Sequence, residues 1–160
     1  MNLILLVGPP GSGKSTFAKS ISQHIAEADS FPGLYLNGIL QPSLLPKAHQ
    51  SCKSQVETWM KSKVGLIVQS NTNLQKQSYE SYIDLAIQYG YQLRFILPFY
   101  GLLYYPGIKT NEQKEHIITI RSQGDKIIPR HAMQRMIDQF YTSESELVKL
   151  SSISDPKKMK

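Results

Sequence analysis

The feature that most restricts the fold of this chain is a glycine-rich loop placed between an apolar segment and an amphipathic one. Residues 3 to 7 read LILLV, and residues 8 to 16 continue directly as GPPGSGKST. An uninterrupted apolar run of this length, bounded by glycine, is typical of a buried parallel strand. The spacing G-x-x-x-x-G-K-[ST], between such a strand and a helix, predicts a loop that surrounds the phosphates of a nucleotide. A glycine turn that binds nothing is the alternative, and both flanks argue against it.

Each residue type in this loop has a chemical reason to be there. Glycine lets the backbone curl until several N–H groups point at phosphate oxygens, and the following helix adds the positive end of its dipole. Lys14 is expected to reach the β- and γ-phosphates, and Ser15 to ligate Mg²⁺, which prefers oxygen ligands. The predicted cofactors are therefore ATP or GTP together with Mg²⁺. The predicted nucleotide-binding residues are Gly8, Pro9, Pro10, Gly11, Ser12, Gly13, Lys14, Ser15 and Thr16.

Strand-like and helix-like patterns alternate along the rest of the chain. Further strands are predicted at residues 34–36, 64–68 and 91–97, and helices at 14–28, from Ser43 past Trp59, through 79–89, from Thr110 to near Gly124, and from Pro129. This alternation predicts an α/β fold with a mostly parallel sheet flanked by helices. The glycine-rich loop after the first strand predicts that it is a P-loop NTPase. We assign residues 1–141 to this domain and residues 142–160 to a polar, flexible C-terminal tail.

Charge and cysteine content narrow the class of protein. The formal net charge of +6 fits either a soluble surface or an anionic partner such as a nucleotide or nucleic acid. The single cysteine, Cys52, permits no internal disulfide, as in a reducing compartment. LILLV is too short to span a bilayer and lacks the flanks of a leader peptide. We therefore expect a cytoplasmic protein without a membrane partner.

Three segments of the chain together carry a more specific pattern. The first is the glycine-rich loop. In the second, residues 64 to 96, an apolar strand ends in the tetrad Ser70-Asn71-Thr72-Asn73, and the next helix ends in Tyr89-Gly90. The third is Pro129, which opens a helix that carries Arg135-Met136. In this combination, over residues 1 to 141, the chain resembles the polynucleotide 5′-hydroxyl kinase family of P-loop kinases.

The resemblance implies transfer of the γ-phosphoryl group of an NTP to a 5′-hydroxyl of RNA or DNA. This reaction needs positioned phosphates, cationic charge and an oriented nucleophile. The resemblance also implies a lid arginine that acts beside Lys14 in the transition state. Arg121 is the first candidate, although the family places this arginine closer to the proline, and Arg130 is the second. For either arginine, a solvated surface charge is the alternative.

The chain departs from the family where acids are expected. The family's second strand ends in Asn, a basic residue and then Asp, which is the general base. Aligning this motif on Asn37 in LYLNGILQ puts Ile39 at the place of the Asp. The tetrad, where the family has a second acid, also lacks a carboxylate, and the preceding Gln69 is neutral. Asp29 approaches the site only if the strand register differs, and Glu57 reads as a solvated helix charge, so we assign no base.

The other reactive or aromatic side chains give weaker signals. Cys52 lies on an apolar helix face and is expected in the core. The histidines, His24, His49, His116 and His131, lack the spacing of metal ligands. An aromatic cluster, Phe99, Tyr100, Tyr104 and Tyr105, is expected either to pack beneath a lid or to stack on a base.

Three functions remain open at this point. An NTP-dependent phosphotransferase of the polynucleotide kinase type, acting on an RNA or DNA 5′ end, is the leading interpretation. A degenerate nucleotide-binding module without efficient transfer, serving as a regulator or scaffold fused to or associated with other domains, is favoured by the missing acids. A small-molecule kinase with the same loop is the third.

Overall fold

The computed structural model describes residues 1–98, 110–121 and 126–160. Its centre is a parallel sheet of four strands, β1 (Asn2–Leu6), β2 (Ile25–Ala26), β5 (Leu66–Gln69) and β6 (Gln92–Ile96). These strands lie in the order β2-β5-β1-β6. A separate antiparallel hairpin is formed by β3 (Tyr35–Leu36) and β4 (Ile39–Leu40). Because all four central strands run the same way, their carboxyl ends meet along one edge, where ligands of such sheets bind.

Helices cover both faces of the sheet, which confirms the expected α/β, kinase-type P-loop architecture. They are α1 (Lys14–Ile21), α2 (Leu45–Lys61), α3 (Lys76–Tyr89), α4 (Asn111–Arg121) and α5 (Arg130–Ser151). Alternate residues of β1 face opposite sides. Leu3 and Leu5 join the large core with residues of α2, α3 and α5, whereas Ile4 and Leu6 join a smaller cluster with α1. The strand is therefore buried on both faces, as its continuous apolar run predicts.

The first helix is shorter than its apolar periodicity predicts. It ends at Ile21, and Ser22 follows in an extended conformation. The Ser22 hydroxyl donates a hydrogen bond to the Leu66 carbonyl on β5 and accepts one from the His24 amide. This turns the chain back to the sheet, where Ile25 and Ala26 form β2. Ile25 satisfies the helical spacing and the strand equally well, so periodicity alone mistook the second strand of the fold for the end of the helix.

The stretch LYLNGILQ is a two-strand hairpin outside the central sheet. Leu36 pairs with Ile39, and Asn37 and Gly38 between them have φ angles of 51° and 78°. Two successive residues with positive φ, written Asn-Gly, are the signature of a tight hairpin turn. The predicted strand at 34–36 exists, but it belongs to this hairpin and is not the second strand of the parallel sheet.

The C-terminal segment is ordered against the core, which corrects the prediction of a loose tail from residue 142. Helix α5 continues to Ser151 and buries Leu147 and Leu150. A short 3₁₀ turn, Pro156–Met159, then buries Met159. The polar composition of this segment is real, but its few apolar residues fall on the inner face. Within the described residues, no helix has the length and apolarity needed to cross a membrane.

Candidate functional site

The glycine-rich loop joins β1 to α1 at the carboxyl edge of the sheet. Gly8 has a φ of 147°, and a Cβ atom added to it would lie 2.4 Å from the Ser12 Oγ. The Gly8 amide donates to the Thr72 carbonyl at 3.0 Å, which ties the loop to the tetrad after β5. Gly13, the N-cap of α1, is left-handed with a φ of 85°. The loop therefore packs closely on itself, and α1 starts immediately after it with the positive end of its dipole toward the loop.

Lys14 folds back onto this loop and is only 8% exposed. Its ammonium group donates to the Gly8 carbonyl at 2.7 Å and to the Pro9 carbonyl at 3.0 Å. The Ser12 hydroxyl lies 3.4 Å from the same nitrogen. A cation held by neutral carbonyl dipoles can exchange them for charged phosphate oxygens, which form stronger hydrogen bonds.

A carboxylate from β2 reaches the first turn of α1. The Ser15 hydroxyl donates to Glu27 Oε1 at 2.8 Å. Glu27 follows β2 directly, and its second oxygen, Oε2, lies 3.4 Å from the Ser30 hydroxyl. The end of β2 is therefore in contact with the end of the glycine-rich loop.

A buried amide network connects the ends of the neighbouring strands. Gln69 and Asn73 are both 0% exposed, and their side-chain amides hydrogen-bond to each other. Asn73 also donates to the Leu6 carbonyl at the end of β1, at 2.7 Å. The Asn71 side-chain oxygen accepts from the Ala28 amide at 2.9 Å. These polar side chains thus serve as struts that fix the tetrad between the loop and the turn after β2.

Asp29 lies in the 3₁₀ turn Ala28–Ser30 that follows β2. Its carboxylate accepts a hydrogen bond of 3.4 Å from the Tyr35 hydroxyl, and the Lys126 ammonium lies 3.8 Å away. Burial, followed by the nearby Asp29 charge, raises the pKa of Tyr35 to about 12, so the phenol keeps its proton and acts as a donor. Lys126 also lies 5.0 Å from the centre of the Tyr35 ring. Asp29 is thus an exposed carboxylate held by two side chains.

The hairpin of β3 and β4 carries Tyr35 and contacts the segment that carries Lys126. The Gly38 carbonyl accepts from the Ile127 amide at 2.9 Å, and Ile39 forms a parallel bridge with Ile127. Ile39 itself is 58% exposed on the hairpin and does not follow the second strand of the sheet. The predicted equivalence of Ile39 with the family's Asp is therefore wrong, and the acids after β2 are Glu27 and Asp29. The Asn-Gly pair at 37–38 was the available signal, because it marks a hairpin turn rather than a strand end.

The remaining predicted residues have other partners in the structure or lie outside its described part. The backbone of Arg121 ends α4, but its side chain lies outside the described part, as do the aromatic residues 99, 100, 104 and 105. Arg130 forms an ion pair with Glu115 of α4, and both are more than half exposed. Glu57 is bound by Lys61 at 3.0 Å on the surface of α2. Cys52 is buried, and burial raises the pKa of its thiol.

A cavity of about 560 Å³ opens between the start of α3 and the first half of α5. It begins at Gln75, two residues after Asn73, so it adjoins the tetrad. Its cationic or basic lining groups are His131 and Arg135, and amide and hydroxyl side chains line most of the remainder. This lining, which also contains the Asp138 carboxylate, suits a polar ligand. The lining residues are Gln75, His131, Gln134, Arg135, Asp138, Gln139, Thr142 and Ser143.

Comparison with known proteins supports the P-loop assignment. The model of a family described as "AAA domain" matches residues 3–100. NEDD4-binding protein 2 of Homo sapiens is 31% identical over 103 residues, which are 60% of this chain and 6% of that protein. The chain therefore spans a small fraction of this curated relative.

Solved structures share the fold. A chain of the Pnkp1/Rnl/Hen1 RNA repair complex superposes with a TM-score of 0.64 at 21% identity, covering 91% of this chain and 45% of that chain. A chain in a second structure of the Pnkp1/Rnl/Hen1 complex gives a TM-score of 0.50 at 21% identity, covering 69% of this chain and 40% of that chain. At this level of identity the likeness establishes the architecture of the domain.

Proposed function

Because this chain belongs to the AAA domain family of P-loop proteins, we propose that it binds a nucleoside triphosphate with Mg²⁺ and transfers the γ-phosphoryl group. The acceptor we propose is the 5′-hydroxyl of RNA or DNA. The observation that carries transfer, beyond nucleotide binding, is Asp29 at the carboxyl end of β2, on the edge that also carries the glycine-rich loop. A carboxylate at this place can accept the proton of an attacking hydroxyl.

In this proposal the glycine-rich loop and the start of α1 bind the nucleotide and the magnesium ion. Lys14 leaves the Gly8 and Pro9 carbonyls and binds the β- and γ-phosphates, supplying positive charge as the transition state forms. Residues 8 to 16 hold the phosphates through backbone N–H groups and the dipole of α1. The Ser15 hydroxyl is an oxygen ligand of the kind that Mg²⁺ prefers, and the ion neutralises phosphate charge when bound.

Asp29 acts on the acceptor. As the 5′-oxygen forms its bond to the γ-phosphorus, the bond from that phosphorus to the β,γ-bridging oxygen breaks, and the nucleoside diphosphate leaves with the electron pair. The hydroxyl proton passes to Asp29. Tyr35 and Lys126 orient the carboxylate through the contacts described above. Arg121 remains our first candidate for the lid arginine; the ion pair of Arg130 with Glu115 favours a surface role for Arg130.

A nucleic acid is the acceptor class that the charge favours. The chain carries a net charge of +6, and the cavity beside the tetrad presents Arg135 and His131. Phosphates on the 3′ side of the acceptor nucleotide would find cationic and amide donors there. The shared fold with a chain of an RNA repair complex supports RNA as the first acceptor to test.

The decisive experiment measures transfer from γ-labelled ATP and GTP to 5′-hydroxyl RNA, DNA and mononucleosides. We expect labelled polynucleotide, and loss of both transfer and nucleotide affinity in Lys14→Ala. One charged hydrogen bond contributes about 1.5–3 kcal/mol, or about 10- to 100-fold in affinity. The control is Lys53→Ala on the surface of α2, which should leave both quantities unchanged. Absence of any NTP affinity, or affinity insensitive to Lys14→Ala, would contradict the proposal.

A nucleotide-binding module without transfer is the second candidate. Its support is the end of β5, where Gln69 and the whole tetrad are uncharged. In that case nucleotide affinity still depends on Lys14, but neither RNA, DNA nor mononucleoside is labelled above the Lys14→Ala background. Labelling of mononucleosides in preference to polynucleotides would instead favour a small-molecule kinase.

A further inference from the structure

We propose that Glu27 is the carboxylate that orients the magnesium ligand Ser15, and that it replaces the acid missing at the end of β5. The inference rests on the nucleotide and metal binding of the proposed function, and it does not require transfer. It concerns a different residue and a different task from the proton acceptor Asp29.

The hydrogen bond between the two residues fixes the direction of the Ser15 hydroxyl. A serine hydroxyl has one proton and two lone pairs. Its proton is committed to Glu27 Oε1 at 2.8 Å, so the lone pairs point away from the carboxylate and are free to meet a cation. A carboxylate acceptor also raises the electron density on the hydroxyl oxygen, as carboxylates behind metal ligands generally do.

The carboxylate is itself held in place. The Ser30 hydroxyl lies 3.4 Å from Glu27 Oε2, and the Ser30 amide donates to the Glu27 carbonyl at 3.2 Å. The preceding residue, Ala26, is paired with Gln69 of β5. Glu27 is therefore positioned by the sheet on one side and by the 3₁₀ turn on the other, and it is not a freely moving surface acid.

The sheet register puts this acid beside the place where the resemblance calls for one. The Ser70 amide donates to the Ala26 carbonyl at 2.9 Å, so Glu27 lies level with Ser70, the first residue of the tetrad. The tetrad at the end of β5 carries no charge, and the carboxylate is supplied by Glu27 at the end of the neighbouring strand, β2. The Ser70 hydroxyl is buried without a hydrogen-bond partner among the described residues, and it suits a water of a hydrated cation.

The donor set fits Mg²⁺ rather than a tightly caged metal. Among the described residues, no group of three or more His, Cys, Asp or Glu could hold a metal ion. Mg²⁺ keeps several waters and is usually bound by one or two protein oxygens together with substrate phosphates. The Ser15 hydroxyl, oriented by the Glu27 carboxylate, would supply one such protein oxygen.

The test is the effect of Glu27→Gln on the magnesium dependence of nucleotide binding. Calorimetry measures ATP affinity in EDTA and across a Mg²⁺ titration, and no transfer is required. Removing a partner of a metal ligand commonly costs about 10- to 100-fold in metal affinity. We expect the Mg²⁺ concentration for half-maximal tightening to rise by this factor, with ATP affinity in EDTA unchanged or higher. Unaltered magnesium dependence would overturn the inference.

Glu57→Gln is the matched control, because Glu57 also accepts a hydroxyl hydrogen bond of 2.8 Å, from Tyr89, on the surface of α2. It should leave the magnesium dependence unchanged. A purely structural role of Glu27 would lower the thermal midpoint and shift ATP affinity in EDTA while sparing the magnesium dependence, and this also counts against the inference.

A double-mutant cycle shows whether Glu27 acts through Ser15. If it does, Ser15→Ala and the double variant Ser15→Ala/Glu27→Gln have the same magnesium dependence, because the intermediary is already gone. If the effects of the two substitutions on the magnesium dependence add instead, Glu27 does not act through Ser15. Should the wild type bind magnesium–nucleotide but transfer nothing, the proposed transfer fails while this inference can still stand.

Discussion

The glycine-rich loop and the turn after β2 lie on the same edge of the sheet, but they are held in different ways. The loop is fixed largely by its own residues: Lys14 binds the carbonyls of Gly8 and Pro9, and Ser12 fills the space beside Gly8. The turn after β2 has its own hydrogen bonds from Ser30 to Glu27. It is also held from far away in sequence, by Asn71, which binds the Ala28 amide, and by Lys126 near Asp29. A change within the loop should therefore disturb it directly, whereas the turn should tolerate the loss of one contact.

The largest effect is expected for Asp29, the exposed carboxylate in the turn after β2. Asp29→Asn should lower transfer about 10²–10⁴-fold, the usual contribution of a general base, while nucleotide affinity stays unchanged because the loop is intact. Single-turnover transfer and equilibrium binding measure the two quantities separately.

Ile39→Asp is the informative companion variant. It restores an acid at the position that sequence alignment suggested, but the structure places this residue 58% exposed on the hairpin. We expect no gain in transfer, either alone or combined with Asp29→Asn. Recovery of transfer by Ile39→Asp would show that the general base belongs on the hairpin, and it would refute the assignment to Asp29.

The tetrad connects the two regions, and Asn73 is its central strut. Asn73→Ala removes the partner of the wholly buried Gln69 amide and of the Leu6 carbonyl. Each buried polar group left without a partner costs about 1–3 kcal/mol. We expect a decrease of this size or larger in the free energy of unfolding in urea. Gln77→Ala, which removes an exposed side-chain amide of α3, should have little effect.

Gly8→Ala tests how closely the loop is packed on itself. The new Cβ would lie 2.4 Å from the Ser12 Oγ at a φ of 147°, so the loop must shift. Backbone strain of this kind costs about 1–3 kcal/mol, and we expect weaker nucleotide binding together with lower stability. Gly65→Ala is the control, because its Cβ would meet nothing within 4 Å. Full nucleotide affinity in Gly8→Ala would mean that the loop rearranges without cost.

The smallest effect is expected in the hairpin. Gly38→Ala forces a residue with a side chain to adopt a φ of 78°, which costs about 1–2 kcal/mol locally. Because the hairpin lies outside the sheet, we expect faster amide exchange at Ile127, the partner of the Gly38 carbonyl, with slight change in global stability. An unchanged exchange rate would show that the hairpin does not anchor the segment before α5.

The contrast between the two regions also explains how far sequence reasoning reached. The loop, the central strands β1, β5 and β6 and the fold class followed from local patterns, because each is encoded by adjacent residues. The αL residue Gly90 at the end of α3, with a φ of 70°, was likewise readable. Glu27 was missed, and Asp29 was considered only for a different strand register, because β2 has only two residues and the pairing of Ala26 with Gln69 depends on contacts distant in sequence. The strand predicted at residues 34–36 lies after the 3₁₀ turn Ala28–Ser30, whereas β2 lies before it.

The C-terminal segment has a consequence for how the sheet meets its surroundings. β6 is an edge strand, and edges with unpaired N–H and C=O groups invite pairing with other chains. Here the Ser154 carbonyl accepts from the Leu93 amide at 3.0 Å, and the 3₁₀ turn that follows packs on α3. Ser154 and the 3₁₀ turn after it therefore cover part of the exposed edge of β6. A protein cut after residue 141 would retain the glycine-rich loop but present an open strand, and we expect it to self-associate.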